Sequence, residues 1–470
     1  MPTQRPGRVL AVVSTAVFMA SLDLFIVNIA MPDLARDFDG STLAGLSWVL
    51  NAYAIVFAAL LVPAGRIADR IGRRRAFAGG VAVFTAASAL CGLAPSVEAL
   101  VAARVLQAAG AAFLMPTSLA LLLPAFPPER RPVAIGVWAA VGGVAAAAGP
   151  PLGGLLVEVS WRLVFLVNVP VGIAAAVLAV RVLAEARDEQ APWPDLVGTL
   201  LLAGSIALLS LALVQAPDWG WGAPATLASI AAAALGTGAF LLRSARHAAP
   251  VVDLPMLRVR SFAMANLAGL LFTAAFAAML LGNVLFVTQA WGWSVLQTGL
   301  ALAPGPVCAA LAAVPGGRLA VRVGQRRVAS AGCLLFAAGS ALCAARMGRD
   351  PVYASVLLPA MVVGGLGVGL TLSTLSSAAA ASLPPARFAT GTAVFTTARQ
   401  LGAVLGVAIL VAVVGTPEPG DLLAAFREGW WFQVLAAAGA TVAAFAIGPI
   451  ALPAVRAASE PAAGVPAEVA

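Results

Sequence analysis

The chain contains no lysine, one histidine and only four cysteines among its 470 residues, so all 28 of its basic residues are arginine. The four cysteines fall in apolar stretches, and their spacing supports neither a disulfide framework nor a metal site. Charged residues make up 10% of the chain, whereas a soluble protein carries roughly a quarter. This shortage of charge excludes an ordinary soluble protein.

Long apolar runs take the place of the missing charge. Hydrophobic residues form 61% of the chain, and the mean hydropathy is +0.98. Runs of about 20 residues, which is the length that crosses the hydrocarbon core of a bilayer, recur throughout. They predict an all-α polytopic membrane protein with fourteen spans, near residues 9–32, 46–64, 76–95, 98–122, 133–157, 162–182, 197–216, 224–242, 262–286, 297–317, 328–346, 352–374, 390–414 and 430–453.

The arginines are distributed unequally between the two sides of these spans. Twenty-one of the 28 lie on one side and five on the other, while Arg104 and Arg399 fall within spans. An excess of arginine marks the cytoplasmic side of a membrane protein. We therefore expect both termini in the cytoplasm. The net charge of +8 then reflects topology and predicts no nucleic-acid partner.

Two segments 252 residues apart match each other. GRIADRIGRRR (Gly65 to Arg75) aligns with GRLAVRVGQRR (Gly317 to Arg327), and each follows a predicted span. Such a repeat is typical of secondary transporters built from two similar halves. We expect a six-helix bundle, a linker with two extra spans, a second six-helix bundle and a disordered cytoplasmic tail, over residues 1–183, 184–261, 262–453 and 454–470 respectively.

Several further motifs occur in a familiar order: LDLFIVNIAMP from Leu22, WVLNAYAI from Trp48, RVLQAAGAA from Arg104, AAAAGPPLGG from Ala145 and RQLGAVLG from Arg399. With the Gly65 segment, they resemble the fourteen-spanner drug:proton antiporters of the major facilitator superfamily. The resemblance implies alternating access between the two bundles and export of lipophilic cations, dyes and antibiotics, driven by inward proton flow. It implies no cofactor and commonly a monomer. Arginine-only, alanine-rich usage is consistent with a bacterial cytoplasmic membrane.

Asp23 is the most informative single residue, because a carboxylate deep in an apolar span is costly and usually functional. At 1.5 Å per residue it lies roughly 20 Å from the cytoplasmic end of its span, and Arg104 lies roughly 9 Å from the external face. The two are thus predicted at similar depth. Burial favours the protonated acid and a nearby arginine favours the carboxylate. Asp23 with Arg104 is either the proton-coupling site or a structural tether between helices.

The segment from Gly65 to Arg75 is predicted to be a cytoplasmic gating loop. Its glycines permit a tight turn, and Asp69 can pair with an arginine or a helix end. Within the family this element latches one conformational state, and the residues that carry it here are Gly65, Asp69, Arg70, Gly72 and Arg73. Positive-inside charge alone is the alternative explanation for the arginines. The second copy has Val321 in place of Asp69, which predicts a weak or absent latch.

The antiporter motif of the family corresponds to Gly149, Pro150, Gly153 and Gly154 in the fifth predicted span. Proline removes backbone hydrogen bonds and glycine allows close helix approach. The pattern predicts a break in the helix near its outer end, and in the family it distinguishes antiporters from symporters. Generic helix packing explains the residues equally well.

Other polar, aromatic and methionine side chains in the spans are candidates for lining a substrate cavity. Each is also explained by helix packing. Arg399 is either a substrate contact or a structurally paired cation. Because spans nine to twelve hold no carboxylate, we expect a preference for neutral or monovalent lipophilic compounds as substrates. The candidates are Asn28, Asn51, Tyr53, Gln107, Phe113, Met115, Asn266, Asn283, Gln289 and Arg399.

Four other functions compete with drug efflux. A dedicated exporter of one endogenous metabolite, or a lipid translocator, would share the same architecture. A membrane-embedded sensor would require a soluble output domain, and no predicted loop is long enough. An intramembrane enzyme would need a cluster of catalytic or metal-binding side chains in the spans, which the sequence does not contain.

Overall fold

The computed structural model describes residues 6–38, 40–127, 130–188, 193–383, 388–415 and 420–448. In those residues α-helices are joined by short connections, without a strand among them. The helices are α1 (Pro6–Asp37), α2 (Leu43–Ile71), α3 (Arg73–Gly92), α4 (Val97–Leu122), α5 (Arg131–Val159), α6 (Leu163–Leu166), α7 (Asn168–Val182), α8 (Leu196–Trp219), α9 (Pro224–Arg246), α10 (Arg260–Ala290), α11 (Val295–Leu302), α12 (Pro304–Val323), α13 (Gln325–Arg346), α14 (Leu358–Ala381), α15 (Phe388–Val414) and α16 (Leu422–Phe445). The predicted all-α membrane architecture is confirmed.

Thirteen helical segments in the described part of the chain are long and apolar enough to cross a membrane. Two of them are interrupted: α6 and α7 together form one, and α11 and α12 form another. Helix α16 occupies the place of the fourteenth predicted span and has 24 residues. It contains Arg427 and Glu428, which reduce its apolar character.

Two bundles repeat the same pattern of neighbours. In the first, α1 packs on α5, α2 on α4, and α3 on both α4 and α7. In the second, α10 packs on α15, α12 on α14, and α13 on both α14 and α16. Glycines bring these helices close: a Cβ at Gly110 would lie 2.5 Å from the Phe84 nitrogen, and one at Gly367 would lie 2.6 Å from the Phe336 nitrogen. Small residues at such crossings let van der Waals contact drive association in a membrane.

The two extra helices form a hairpin between the bundles. Helix α8 packs against α2 of the first bundle and against α15 of the second. Its residues Leu202 and Ile206 share one apolar cluster with Ile55, Val62 and Val404. The hairpin is therefore attached to both bundles. Helix α10 then begins at Arg260, two residues before the boundary predicted from sequence.

The bundles also meet directly, through α2 with α15, α5 with α11 and α12, and α1 with α10. A Cβ at Gly154 of α5 would lie 2.9 Å from the Leu296 Cα of α11. The rings of Phe25 and Phe276, from α1 and α10, have centroids 6.4 Å apart. These contacts hold the two bundles against each other.

Candidate functional site

Asp23 and Arg104 form an ion pair inside the first bundle. Asp23 is 0% exposed and Arg104 is 1% exposed. The Nη1 of Arg104 donates to Asp23 Oδ2 and, at 2.6 Å, to Gln107 Oε1. Its Nε donates to the Val49 carbonyl at 3.1 Å. Gln107 Nε2 in turn donates to Asp23 Oδ1 at 2.9 Å, so both carboxylate oxygens have a donor.

A shell of polar and aromatic side chains surrounds this pair. Gln107 Nε2 donates to Ser88 Oγ at 2.6 Å, and Asn168 Nδ2 donates to the same oxygen at 3.3 Å. The Tyr53 ring lies 4.0 Å from the Arg104 guanidinium carbon, which is cation–π geometry. The network thereby joins α1, α2, α3, α4 and α7. It is the chemistry expected where a buried charge is retained, because every partner offsets part of its desolvation.

The antiporter motif lies on α5, where its glycines pack against α1 and against the opposite bundle. A Cβ at Gly149 would lie 2.7 Å from the Cβ of Phe25, which is two residues after Asp23 on α1. A Cβ at Gly153 would lie 3.0 Å from a side-chain carbon of Ile26. Gly154, one residue on, faces α11 of the other bundle. The small residues therefore let α5 touch both α1 and the opposite bundle.

The predicted break in this helix is wrong. Helix α5 runs without interruption from Arg131 to Val159, and Pro150 and Pro151 lie inside it. Neighbouring helices and local adjustments accommodate proline in membrane helices. The Pro150 carbonyl instead marks a close crossing, because it occupies the space in which a Cβ at Gly299 would lie.

The prediction of a loop over Gly65–Arg75 is wrong for most of its length, because Gly65 lies within α2 and Gly72 alone separates α2 from α3. The predicted gating loop is therefore a junction of two helices. Gly72 has a φ of +113°, a left-handed conformation that glycine adopts at little cost. Asp69 pairs with Arg73, its Oδ1 accepting from Nε at 2.8 Å. Gly65 packs on Pro116 of α4, at 3.3 Å from a would-be Cβ to the proline Cβ. The loop is thus ordered by its own ion pair and by one positive-φ glycine.

Glu185, from the segment after α7, caps the start of α3. Its Oε1 accepts from the Arg74 backbone N–H at 3.0 Å, and its Oε2 accepts from that of Arg75 at 3.3 Å. A carboxylate at a helix N-terminus satisfies free N–H groups and the helix dipole. A Cβ at Gly72 would lie 2.6 Å from Glu185 Oε1, so only glycine leaves room for this cap.

The rest of the linker follows the same loop. The Asp188 N–H donates to the Asp69 carbonyl at 2.7 Å, and the Arg73 N–H donates to the Ala186 carbonyl at 2.9 Å. Arg70 lies over the Trp193 ring, 4.6 Å from its centroid. The linker to the extra helices is therefore in direct contact with the predicted gating loop.

The second copy of the loop lacks this cover. Gly324 also has a positive φ, of +94°, but a Cβ there would meet open space. Gln325 Nε2 donates to Ser377 Oγ at 3.0 Å, and Arg326 lies over the Phe445 ring. Val321 offers no carboxylate in place of Asp69.

The cavity candidates of the first bundle lie in different environments. Tyr53 and Gln107 belong to the Asp23 network. Asn28 Nδ2 donates to the Leu24 carbonyl of its own helix at 3.0 Å. Asn51 is buried, and both of its amide atoms lack a partner in the described part of the chain. Phe113 and Met115 are half-buried and pack on the bundle core.

The candidates of the second bundle are also dispersed. Asn283 Oδ1 accepts from the Trp430 indole N–H at 3.1 Å. Asn266 Nδ2 donates to the Phe262 carbonyl at 2.8 Å. Gln289 borders a cavity of about 250 Å³ between α1, α2 and α10, near the predicted external face. Arg399 is half-buried on α15, and its Nε has no hydrogen-bond partner in the residues described.

Sequence reasoning missed Ser88, Asn168 and Glu185. Small polar residues are common in membrane helices, so nothing local distinguishes Ser88 or Asn168. Glu185 lies in the predicted linker, where its charge alone indicates no contact with α3. A search for polar residues at the depth of Asp23 could have found the first two, whereas the cap depends on the path of the chain after α7.

The sequence as a whole also matches a known protein family. The sequence profile of the Major Facilitator Superfamily matches residues 13–286 and 267–468. The chain belongs to the Major Facilitator Superfamily. The two overlapping matches, one to each half, agree with the repeated arrangement of its bundles.

Characterised relatives extend over most of this superfamily member. The tetracenomycin C resistance and export protein of Streptomyces glaucescens is 37% identical over 91% of this chain and 78% of its own length. The multidrug resistance protein Stp of Mycobacterium tuberculosis is 33% identical over 84% of this chain and 74% of its own. A methylenomycin A resistance protein of Streptomyces coelicolor is 32% identical over 88% of this chain and 87% of its own length. This membership makes the chain a multi-pass transporter of a bacterial cytoplasmic membrane rather than an enzyme.

Solved structures support the fold. A bacterial homologue of the human lysosomal transporter Spinster, solved in an inward-facing and unoccupied conformation, matches with a TM-score of 0.67 at 17% identity, over 94% of this chain and 97% of that one. The nucleoside transporter NupG matches with a TM-score of 0.64 at 13% identity, over 93% of this chain and 98% of that one. At these identities the likeness concerns architecture alone, and it confirms the predicted major facilitator fold.

Proposed function

We propose that this transporter exports lipophilic drugs or antibiotics in exchange for protons, with Asp23 as the proton carrier and Arg104 as its partner. It works through fourteen spans with both termini cytoplasmic, as a monomer, and it needs no cofactor beyond the proton gradient. The observation that supports this proposal is the fully buried Asp23–Arg104–Gln107 network. Asp23 belongs to α1, whose Phe25 and Ile26 pack against α5, a helix that also contacts the opposite bundle.

The coupling follows from the position of α5. Alternating access requires the two bundles to tilt relative to each other, and Gly154 of α5 lies in their interface. Gly149 on the same helix packs against Phe25, which is two residues after Asp23 on α1. A tilt therefore changes the burial of Asp23 or its contact with Arg104. Each change alters the balance between the protonated acid and the carboxylate, so proton binding and release accompany the conformational cycle.

The gating loop contributes the second part of the cycle. The Glu185 cap and the Asp69–Arg73 pair hold α2, α3 and the linker together on the arginine-rich side. We infer that these contacts stabilise one conformational state and must change when the bundles tilt. Ion pairs of this partly exposed kind contribute modestly, on the order of 1 kcal/mol, which suits a latch that opens in every cycle.

The decisive experiment uses purified protein in proteoliposomes with an imposed pH gradient and a panel of lipophilic dyes that includes ethidium. Asp23→Asn is expected to abolish gradient-driven accumulation while retaining exchange of dye between the two sides, because exchange needs no net proton movement. Asp37→Asn is a matched control, since Asp37 lies on the same helix but pairs with Arg162 near the surface. It should respond to the gradient as the wild type does.

Loss of folding must be distinguished from loss of coupling. The double variant Asp23→Asn with Arg104→Gln removes both charges and leaves neither buried alone, so it should fold and still fail to accumulate dye. If Asp23→Asn accumulates dye as well as the wild type, Asp23 is a structural tether and the coupling assignment is wrong.

A dedicated exporter of one compound is the second candidate function. Several relatives are named for a single product, among them the tetracenomycin C exporter and a cephamycin export protein of Amycolatopsis lactamdurans, which is 34% identical over 88% of this chain. Broad transport across the dye panel would support the multidrug function. Failure with all dyes, combined with export of one endogenous metabolite, would support the dedicated one.

A further inference from the structure

Two arginines lie within the predicted spans, and the structure treats them differently. Arg104 is paired with Asp23 and bonded to Gln107 and Val49. Arg399 takes part in no ion pair in the described part of the chain, and its buried Nε has no hydrogen-bond acceptor there. A guanidinium in such a place requires an acceptor, because an unpaired buried charge is expensive.

The surroundings of Arg399 are interior rather than lipid. Residues 391–414 of α15 are all buried or half-buried, so this stretch is enclosed by its neighbouring helices. A Cβ at Gly269 of α10 would lie 3.5 Å from Arg399 Cγ and 2.7 Å from Phe395 Cε2. The arginine therefore extends along a close crossing of α10 and α15.

The face of α10 at this crossing carries two buried side-chain oxygens that have no hydrogen-bond partner among the described residues. Asn266 and Thr273 lie three residues before and four residues after Gly269, hence on the same side of the helix. Asn266 Oδ1 and Thr273 Oγ1 are buried, and neither has a hydrogen-bond partner among the described residues. Buried polar atoms are almost always paired, so unpaired atoms on both helices of this crossing indicate a place for a polar ligand.

We propose that Arg399 binds an acidic group of the exported compound, with the Thr273 hydroxyl as a neighbouring donor and Asn266 Oδ1 as an acceptor for a hydroxyl of the same compound. The inference rests on the proposed export function and specifies its substrate class: a lipophilic aromatic molecule that carries a carboxylate or an acidic hydroxyl. The carboxylate would accept a charge-assisted hydrogen bond from the guanidinium. This differs from the lipophilic cations that the family resemblance suggests.

The charge balance of the spans supports an acid rather than a cation. Asp23 is the one carboxylate deep in a predicted span, and Arg104 and Gln107 already satisfy both of its oxygens. A cationic substrate would have to displace Arg104 to gain a counter-ion. An anionic substrate meets an arginine that is already available, so binding it removes an unpaired charge instead of creating one.

The test compares two fluorescent probes that differ in one functional group. Pyrenebutyrate carries a carboxylate and pyrenebutyramide is its neutral analogue. Binding to the full-length protein in a non-ionic detergent is followed by energy transfer from tryptophan to pyrene. The wild type should bind the acid at least about tenfold tighter than the amide, which is the effect of one charged hydrogen bond. Arg399→Gln should bring this ratio close to one, and Arg399→Lys should retain part of it.

Arg427→Gln is the control, because it removes the same charge from an exposed position on α16. It should bind both probes as the wild type does. An unchanged ratio in Arg399→Gln would overturn the proposal. So would an equal loss of both probes, which would mark Arg399 as structural, or a wild type that does not discriminate between them.

Transport of pyrenebutyrate into proteoliposomes separates this inference from the proposed function. Discrimination in binding without gradient-driven transport would support the Arg399 site and contradict proton-coupled export. Gradient-driven transport of both probes at equal rates, with no discrimination in binding, would support export and refute the acid site.

Discussion

The two bundles share one scaffold but differ in charge. Ser88 of α3 bonds to Asn168 of α7, and Ser340 of α13 bonds to Gln433 of α16 at the corresponding position. The two serines are 252 residues apart, the same separation as the repeated loops. In the first bundle, Ser88 also accepts a hydrogen bond from Gln107, and Gln107 in turn bonds to the Asp23–Arg104 ion pair. In the second bundle the nearby network is neutral, with Asn283 accepting from the Trp430 indole N–H.

The two halves have the same arrangement of helices, but in the residues described only the first contains a buried ion pair at this position. A buried ion pair contributes little net stability, because desolvation of both charges offsets their attraction. Its retention in one half is what the proposed role of Asp23 in proton coupling requires. The second half keeps the helix contacts without the charge pair, and its unpaired Arg399 lies on a different helix pair, α10 and α15.

The largest expected effect comes from breaking the ion pair. Arg104→Gln leaves Asp23 buried without its counter-charge and should lower the free energy of unfolding by about 3–5 kcal/mol. Trp430→Phe, the counterpart in the neutral network, leaves one acceptor unsatisfied and should cost about 1–3 kcal/mol. Thermal unfolding in detergent measures both variants under identical conditions.

A second substitution tests the cause of this loss. Adding Asp23→Asn to Arg104→Gln removes the uncompensated charge, so stability should recover towards that of the Trp430→Phe variant. Equal losses in the two single variants, or no recovery in the double variant, would mean that the two networks are energetically equivalent.

The two copies of the loop provide a sharper comparison with a smaller effect. Gly72→Ala and Gly324→Ala both place a side chain at a positive φ, at a cost of about 1–2 kcal/mol. Only at Gly72 does the new Cβ meet the Glu185 carboxylate and displace the cap of α3. Gly72→Ala should therefore lose about a further 1 kcal/mol of stability and slow dye efflux more than Gly324→Ala.

Glu185→Gln checks this explanation, because it weakens the cap without disturbing either glycine. It should reproduce part of the efflux defect of Gly72→Ala. If Gly324→Ala slows efflux as much as Gly72→Ala does, the cap is irrelevant and the positive φ alone is responsible.

The smallest expected effect concerns the hairpin that joins the bundles. Asp195 caps α8 through the Gly198 N–H at 2.8 Å and pairs with Arg243 of α9 at 2.7 Å. Burial raises the pKa of Asp195, but these hydrogen bonds outweigh burial and hold the pKa below its ordinary value of 3.8. A lowered pKa stabilises the fold above pH 3.8 and ceases to do so as the pH falls through the folded-state pKa.

Asp195→Asn should therefore cost about 1 kcal/mol at pH 7, and the cost should shrink once the pH falls below 3.8. Unfolding temperatures of the wild type and the variant across this range measure it. A difference that is independent of pH would show that the carboxylate charge does not contribute.

Much of the architecture was predictable because the bilayer imposes it. Apolar runs of sufficient length must become helices, and the arginine asymmetry sets their orientation. The helix rise also placed Asp23 and Arg104 at similar depth. The helix rise does not give the direction in which each side chain points around its helix axis. The contact between Asp23 and Arg104, and the inclusion of Tyr53 and Gln107 in the network, therefore required the structure.

The continuous α5 shows where local rules fail. Pro150 and Pro151 predict a break when the helix is considered alone. In the bundle, α5 stays helical, and its glycines bring α1 and α11 within contact distance. The neighbouring helices compensate for the lost backbone bonds, which a single-helix argument does not include.

The sequence by itself determined that this chain crosses a membrane many times, that it has two related halves and that a carboxylate is buried in the first, because hydropathy, charge asymmetry and repetition are properties of the linear chain. Only the tertiary structure decided which groups satisfy that carboxylate, that Glu185 caps α3 and that Arg399 stays unpaired in the residues described. Hydrogen bonds act over about 3 Å, and residues far apart in the chain reach that distance only through helix packing.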